Sequence, residues 1–126
     1  MSIEGYRGVK DYRYTELKSG AGDFGIRDQK GRAIGYRWRI YRVNVELLSD
    51  EEYRSKGFCG IIKDGKPLEY IEARTTTTRD GEAYGPITSR VVTETFEQAW
   101  EVVAKRAAAA RKNNAKKFAA FNRGAA

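Results

Sequence analysis

Beyond residue 94 the apolar residues of this chain recur at every third or fourth position, whereas before it they alternate or run together between turn signals. Phe96, Ala99, Trp100, Val103, Ala107 and Ala110 form one stripe of a helix. Thr95 and Gln98 have the spacing of a capping box, in which the Thr hydroxyl accepts from the Gln98 N–H and the Gln98 side chain returns to the Thr95 N–H. Ala107 to Ala110 adds the highest helix propensity, while Asn113-Asn114 lowers it. A stripe of this kind needs a surface to cover, and residues 23–94 before it read mainly as strands. The expected fold is therefore α+β: an antiparallel sheet of about five strands in hairpins, followed by one C-terminal helix packed on it.

The chain is expected to form a single domain over residues 1–126, a length that supports one core. Residues 1–22 read as an irregular N-terminal segment ending in a flexible Ser19-Gly20-Ala21-Gly22 joint, and residues 23–94 as the sheet. Residues 95–117 are the helix. Residues 118–126 form a tail whose Phe118 and Phe121 dock on the domain or on another chain. Within the sheet, Asp23 to Asp28 and Ala33 to Leu47 pair across Gln29-Lys30-Gly31-Arg32. Ser49 to Arg54 suits a loop or one helical turn capped by Ser49 or Asp50. Asp64-Gly65 and Asp80-Gly81 each read as hairpin turns, and Ile87 to Thr93 completes the sheet after Gly85-Pro86. Pro67 and Pro86 belong at strand starts or edges.

Histidine is absent and Cys59 is the only cysteine. These counts remove Ser-His-Asp and Cys-His catalysis, the HExxH zinc helix and any zinc site built on Cys and His. No pair of carboxylates is singled out by spacing, so the chain reads as non-enzymatic, with no cofactor and no metal. Cys59 lies in an apolar run and is expected to be a small buried residue. The absence of a secretory signal or membrane span, together with the lone cysteine, predicts a cytoplasmic protein.

The net charge of +7 is unevenly placed. All 17 acidic residues precede Val102 and are balanced by 17 basic ones, whereas the last 25 residues hold Lys105, Arg106, Arg111, Lys112, Lys116, Lys117 and Arg123. Cations at a helix C-terminus complement the helix dipole, but that effect is confined to about the last turn, and seven charges exceed it. A second basic cluster, Arg27, Lys30, Arg32, Arg37, Arg39 and Arg42, faces only Asp28 in sequence. Such concentrations attract phosphates or anionic surfaces.

Two phosphate-loop patterns fail on context. Gly20 to Gly25 matches G-x-G-x-x-G but leads into a hairpin, not a helix, and Gly60 to Lys66 is followed by Pro67 where a P-loop needs Ser or Thr. Thr75 to Thr78 is either a solvated strand or a ladder of hydroxyls on an open face. The segment from Gly35 to Leu47 is more informative, because its apolar residues change face at Ile40-Tyr41. Either a β-bulge returns both sets to one core, or Val43, Val45 and Leu47 lie under the helix and Tyr36 and Trp38 are exposed to stack on bases.

Phe24-Gly25-Ile26-Arg27-Asp28-Gln29-Lys30-Gly31-Arg32 resembles the first hairpin of the positive-cofactor-four type of single-stranded-DNA-binding transcription coactivators, and Glu97-Gln98-Ala99-Trp100 resembles the start of their helix. The resemblance covers these two short segments. The middle strands here are longer, and the Asp64-Gly65 loop is additional. It implies a dimer whose curved sheets bind single strands through Arg27, Lys30, Arg32, Arg37 and Trp38. Charge and resemblance lead to the same expectation: a single-stranded DNA or RNA binding domain. Its candidate contacts are Arg27, Lys30, Arg32, Tyr36, Arg37, Trp38, Arg39, Arg42, Lys105, Arg106, Arg111 and Lys112. The alternative is a homo-oligomeric interaction module that uses the same aromatics and no nucleic acid.

Overall fold

The computed structural model describes residues 6–55, 57–63, 65–84 and 89–122. Its elements run β1 (Tyr6–Arg27), β2 (Ala33–Leu47), α1 (Asp50–Arg54), β3 (Gly60–Lys63), β4 (Glu69–Arg79), β5 (Glu82–Ala83), β6 (Ser89–Thr93) and α2 (Phe96–Lys117), with a 3-10 turn at Ala119–Phe121. The fold is α+β, with the strands in the order β3-β1-β2-β4-β5 and β6 also paired with β4. β3 pairs with β1, and β5 and β6 pair with β4, each antiparallel. Asp64, residues 85–88 and residues 123–126 of the expected tail lie outside the described residues.

The chain packs into two units, Met1–Thr15 with Arg42–Tyr70 and Glu16–Tyr41 with Ile71–Ala126. In the first, Val9, Val43 and Val45 are buried. Of the readings the sequence left open for this segment, the helical turn capped by Ser49 is the one formed, closed by a capping box with Glu52, and Tyr53 stacks on Phe58 with centroids 5.6 Å apart. A hydrogen bond from Lys10, whose ammonium lies 3.0 Å from Glu52, and another from the Ser49 N–H hold the Glu52 carboxyl below its ordinary value. Cys59 corrects an expectation: it is exposed, with its thiol donating to the Val9 carbonyl at 3.3 Å. It stands just before β3, and its backbone N–H also bonds the Val9 carbonyl at 2.8 Å.

The Asp64-Gly65 hairpin is also corrected. A tight turn does form, with Lys66 N–H bonded to the Lys63 carbonyl at 3.2 Å and Gly65 at φ 87°. Its two flanking strands are not neighbours, however, because β3 pairs with β1 while β4 stands beside β2. Turn chemistry sets a change of direction, but it does not choose the partner strand.

In the second unit α2 begins at the expected capping box, with Thr95 Oγ1 accepting from Gln98 N–H at 3.2 Å. Its stripe divides between two clusters. Ala99 and Val103 are buried against Trp38, Ile40, Ile71 and Ala73, and Trp100 meets the Trp38 ring edge-on at 5.0 Å. Farther along, Ala110 and Phe118 close over Phe24, Ile26 and Ile34. Asn114 does not end the helix. It is buried, and its side-chain amide donates to the Ala110 carbonyl at 2.7 Å.

In β2, Trp38 and Ile40 are buried and so are Val43 and Val45, so the buried positions change parity between Ile40 and Val43, as the apolar pattern of the sequence does. The exposed platform expected at Tyr36 and Trp38 is therefore not formed. Trp38 is 7% exposed beneath α2, and Tyr36 is half-buried, stacked on Phe24 at 5.2 Å.

Residues 6–22, expected to be irregular, are strand. The glycines that suggested a joint are places of close approach. A Cβ on Gly20 would lie 2.7 Å from Trp38 Cζ2, one on Gly22 2.7 Å from Tyr36 Cε1, and one on Gly35 would strike the Gly22 carbonyl oxygen. Alanine at a flexible joint would be neutral or stabilising. Here Gly20→Ala is expected to cost about 1–3 kcal/mol through overpacking against a ring that cannot swing aside. Gly35→Ala should cost more, because it meets backbone. Urea unfolding of the two variants measures both.

Candidate nucleic-acid interface

The first basic cluster is organised by its one acid. The turn after β1 places Gly31 at φ 76°, and Gly31 N–H closes on the Asp28 carbonyl at 3.0 Å. The Asp28 carboxylate is turned inward and 3% exposed. It accepts from the backbone N–H groups of Lys30 and Arg32 and from Arg32 Nε, all at 2.9 Å, and lies 3.5 Å from Arg79 Nη1. Burial pushes its carboxyl up, but the N–H groups of Arg32 and Lys30 and the Arg32 guanidinium outweigh that and hold it below the ordinary aspartate value. Asp28 is thus consumed by the turn. Lys30 stays exposed, and Arg27 sends Nη1 to the Gly31 carbonyl at 2.9 Å.

Asn122 joins this turn to the end of α2. Its Oδ1 accepts from Arg27 N–H at 3.0 Å, and its Nδ2 donates to the Arg27 and Phe118 carbonyls, both at 2.8 Å. One amide side chain thereby satisfies both backbone groups of Arg27, as a neighbouring strand would, 95 positions away in sequence. Phe118, expected as part of an adhesive tail, is 4% exposed in the core beneath, while Phe121 is 56% exposed.

The β4–β5 turn supplies the third part. Asp80 and Gly81 both take positive φ, at 50° and 83°, as a two-residue hairpin of the primed type requires, and Asp80 Oδ1 accepts from Ala33 N–H at 2.9 Å. The turn brings Arg79 and Tyr84 together, with the guanidinium 4.4 Å from the ring centroid. Lys117 reaches the same residue from the helix, its Nζ 2.6 Å from the Tyr84 hydroxyl and 5.1 Å from the ring centroid. Arg27, Lys30, Arg32, Arg79 and Lys117 thus gather around two turns, one helix end and one tyrosine.

The remaining candidates are dispersed. Arg37 and Arg39 alternate with Tyr36, Trp38 and Ile40, so they project from the side of the sheet opposite α2. Arg39 is also engaged, by Glu16 at 3.6 Å and the Tyr41 hydroxyl at 3.4 Å. Arg42 belongs to the other unit, where it faces Glu69 at 3.4 Å. Lys105, Arg106, Arg111 and Lys112 are exposed along α2. A single surface of sheet arginines and helix cations, as the sequence suggested, is not formed. The candidate list also omitted Arg79, Tyr84, Lys117 and Asn122. Asp80-Gly81 signals the hairpin that pairs Arg79 with Tyr84, but no local pattern announces the reach of Asn122.

Charge follows the division into units. The unit of Glu16–Tyr41 and Ile71–Ala126 has 16 Lys+Arg against 9 Asp+Glu, and the other has eight of each. The whole net charge therefore belongs to the unit with α2. Among the described residues no cluster of His, Cys, Asp or Glu could hold a metal ion, and no helix is long and apolar enough to cross a membrane. Comparison of the chain with protein-family models, with curated proteins and with solved structures finds no match to any of them.

Asn122→Ala is expected to lower stability by about 0.5–1.5 kcal/mol, since it removes the side-chain bonds to the Arg27 backbone and the Phe118 carbonyl. Hydrogen exchange should quicken at Arg27 and Phe118 before it does at Trp38. The pH dependence follows from Asp28. Its carboxyl sits below the ordinary value in the folded chain, so its contribution is complete above the ordinary aspartate range and is lost as pH falls through the lower folded value. An acid titration of the melting temperature should show a loss in that window that is reduced in Asp28→Asn.

Proposed function

We propose that the chain is a non-enzymatic binder of single-stranded DNA or RNA, and that it holds the strand at the basic end of the α2 unit. The observation that carries this reading is the Asn122 clasp. Through it, two positive segments remote in sequence, the β1–β2 turn and the end of α2, become one surface. Arg27, Lys30, Arg32, Arg79 and Lys117 are the phosphate contacts, and Tyr84 offers a ring between cations, the combination that single strands use for backbone attraction and base stacking. The exposed cations of α2, Arg111, Lys112 and Lys116, extend the positive track along the helix.

Supporting this placement over the sheet arginines is their environment. Arg37 and Arg39 project from the face of the sheet opposite α2, away from the Asn122 clasp, and Trp38 has no free face for a base. The alternative reading, self-association without nucleic acid, loses Trp38 and Phe118 as contact residues because both are buried.

Anisotropy of a labelled oligonucleotide, in DNA and RNA forms, tests the proposal. With five phosphate contacts, affinity should fall about 100-fold between about 50 and about 200 mM salt. Lys30→Gln combined with Lys117→Gln should weaken binding and flatten that salt slope, whereas Arg37→Gln should change neither. Binding indifferent to salt, or lost in Arg37→Gln and kept in the double variant, would refute this site. Light scattering of the free protein reports self-association separately.

A further inference from the structure

The threonine run of β4 lies beside α2, in a cleft that the basic end does not use. Ala73 is buried against α2, so strand alternation puts Thr75 and Thr77 on the same face as it. Ser89 of β6 stands opposite Thr75 in the β4–β6 register. With Arg106 and Asn113 from the helix and the ring of Tyr36, these residues line a cleft of about 310 Å³. The space exists because α2 presents small side chains, Ala107 and Ala110, between the cluster around Trp38 and the cluster around Phe118.

Thr75, Thr77 and Ser89 are half-buried, and their hydroxyls have no hydrogen-bond partner among the described residues, whereas Thr76, which also lines the cleft, is engaged. Arg106 has no ion-pair partner among them either. Three rotatable hydroxyl donors, an amide and a guanidinium form a donor-rich, positively charged lining with no carboxylate among the described residues. That chemistry fits an oxyanion. A phosphomonoester fits it best, because it offers three strong acceptor oxygens and about two negative charges, and a guanidinium binds it through two parallel bonds. The cleft is larger than a phosphate alone, and a pocket of this size with an aromatic wall takes the ring of a small organic phosphate.

We infer that the cleft between α2 and β4 is a binding site for a small phosphomonoester of the mononucleotide class, with Arg106 and the hydroxyls of Thr75, Thr77 and Ser89 holding the phosphate and Tyr36 lying against the ring. The site is separate from the strand-binding surface proposed above. It gives the threonine ladder, left between two readings by the sequence, a role as a phosphate cradle.

Amide NMR spectra of the full chain, titrated with adenosine monophosphate, adenosine and inorganic phosphate, test it. The monophosphate should shift Thr75, Thr77, Ser89 and Arg106, phosphate should shift the same residues more weakly, and adenosine should leave them still. Arg106→Gln should weaken the monophosphate about tenfold and Thr77→Val about threefold, as expected for a charged and a neutral hydrogen bond. Equal shifts from adenosine, or unchanged affinity in Arg106→Gln, would overturn the site. Shifts produced by a 5′-phosphorylated oligonucleotide but not by the mononucleotide would overturn the small-molecule assignment in favour of a strand end. The Lys30→Gln/Lys117→Gln variant should keep its response to the monophosphate, so that failure of either proposal is read independently.

Discussion

The position of α2 depends on how closely β1 approaches β2. Trp38 is a large ring that must lie nearly flat within the unit if a helix is to pass over it, and it does so by occupying the space a side chain at residue 20 would fill. Tyr36 takes the corresponding space at residue 22. With both rings lowered onto glycines, Ala99 and Val103 reach the sheet, and Trp100 closes the edge of Trp38. Glycine ordinarily weakens a strand interior, and that cost is offset here by the burial of two aromatic residues.

The same economy of small residues shapes the far half of the helix. Phe118 anchors it over Phe24, Ile26 and Ile34, and between this anchor and Trp38 the helix offers alanines. A helix pinned at two large contacts and thin between them leaves room beside itself. Arg106 and Asn113 border that room on the side of β4, and Arg111 and Lys112 border another opening on the side of β1. The alanine run that makes the helix easy to form is thus also what keeps its flanks open.

At the basic end, polarity rather than packing decides the arrangement. Asp28 would be costly to bury alone, and it is stable there because two backbone N–H groups and a guanidinium converge on it. Its negative charge is spent within the turn, so the cations around it keep a net field toward solvent. Asn122 then terminates an otherwise open stretch of β1 and fixes the helix end against the turn.

Much of this architecture was written in local pattern. The capping box at Thr95 and Gln98, the stripe through Val103, the Ser49 cap, and the turns at Gly31 and Asp80-Gly81 all depend on residues a few positions apart, where propensity and hydrogen-bond geometry act directly. The concentration of charge toward the C-terminus is likewise a property of sequence alone. Tertiary structure decided what depends on distant partners. Gly20 and Gly22 read as a joint because the rings that need their space lie 14 or more positions away. The partner of β3, the exposure of Cys59 and the burial of Trp38 were equally out of reach, since a strand pattern gives two faces without saying which core each face meets. The basic end is the clearest instance: its cations are visible one by one, but the side chain that unites them acts across 95 residues, and only the folded chain brings it there.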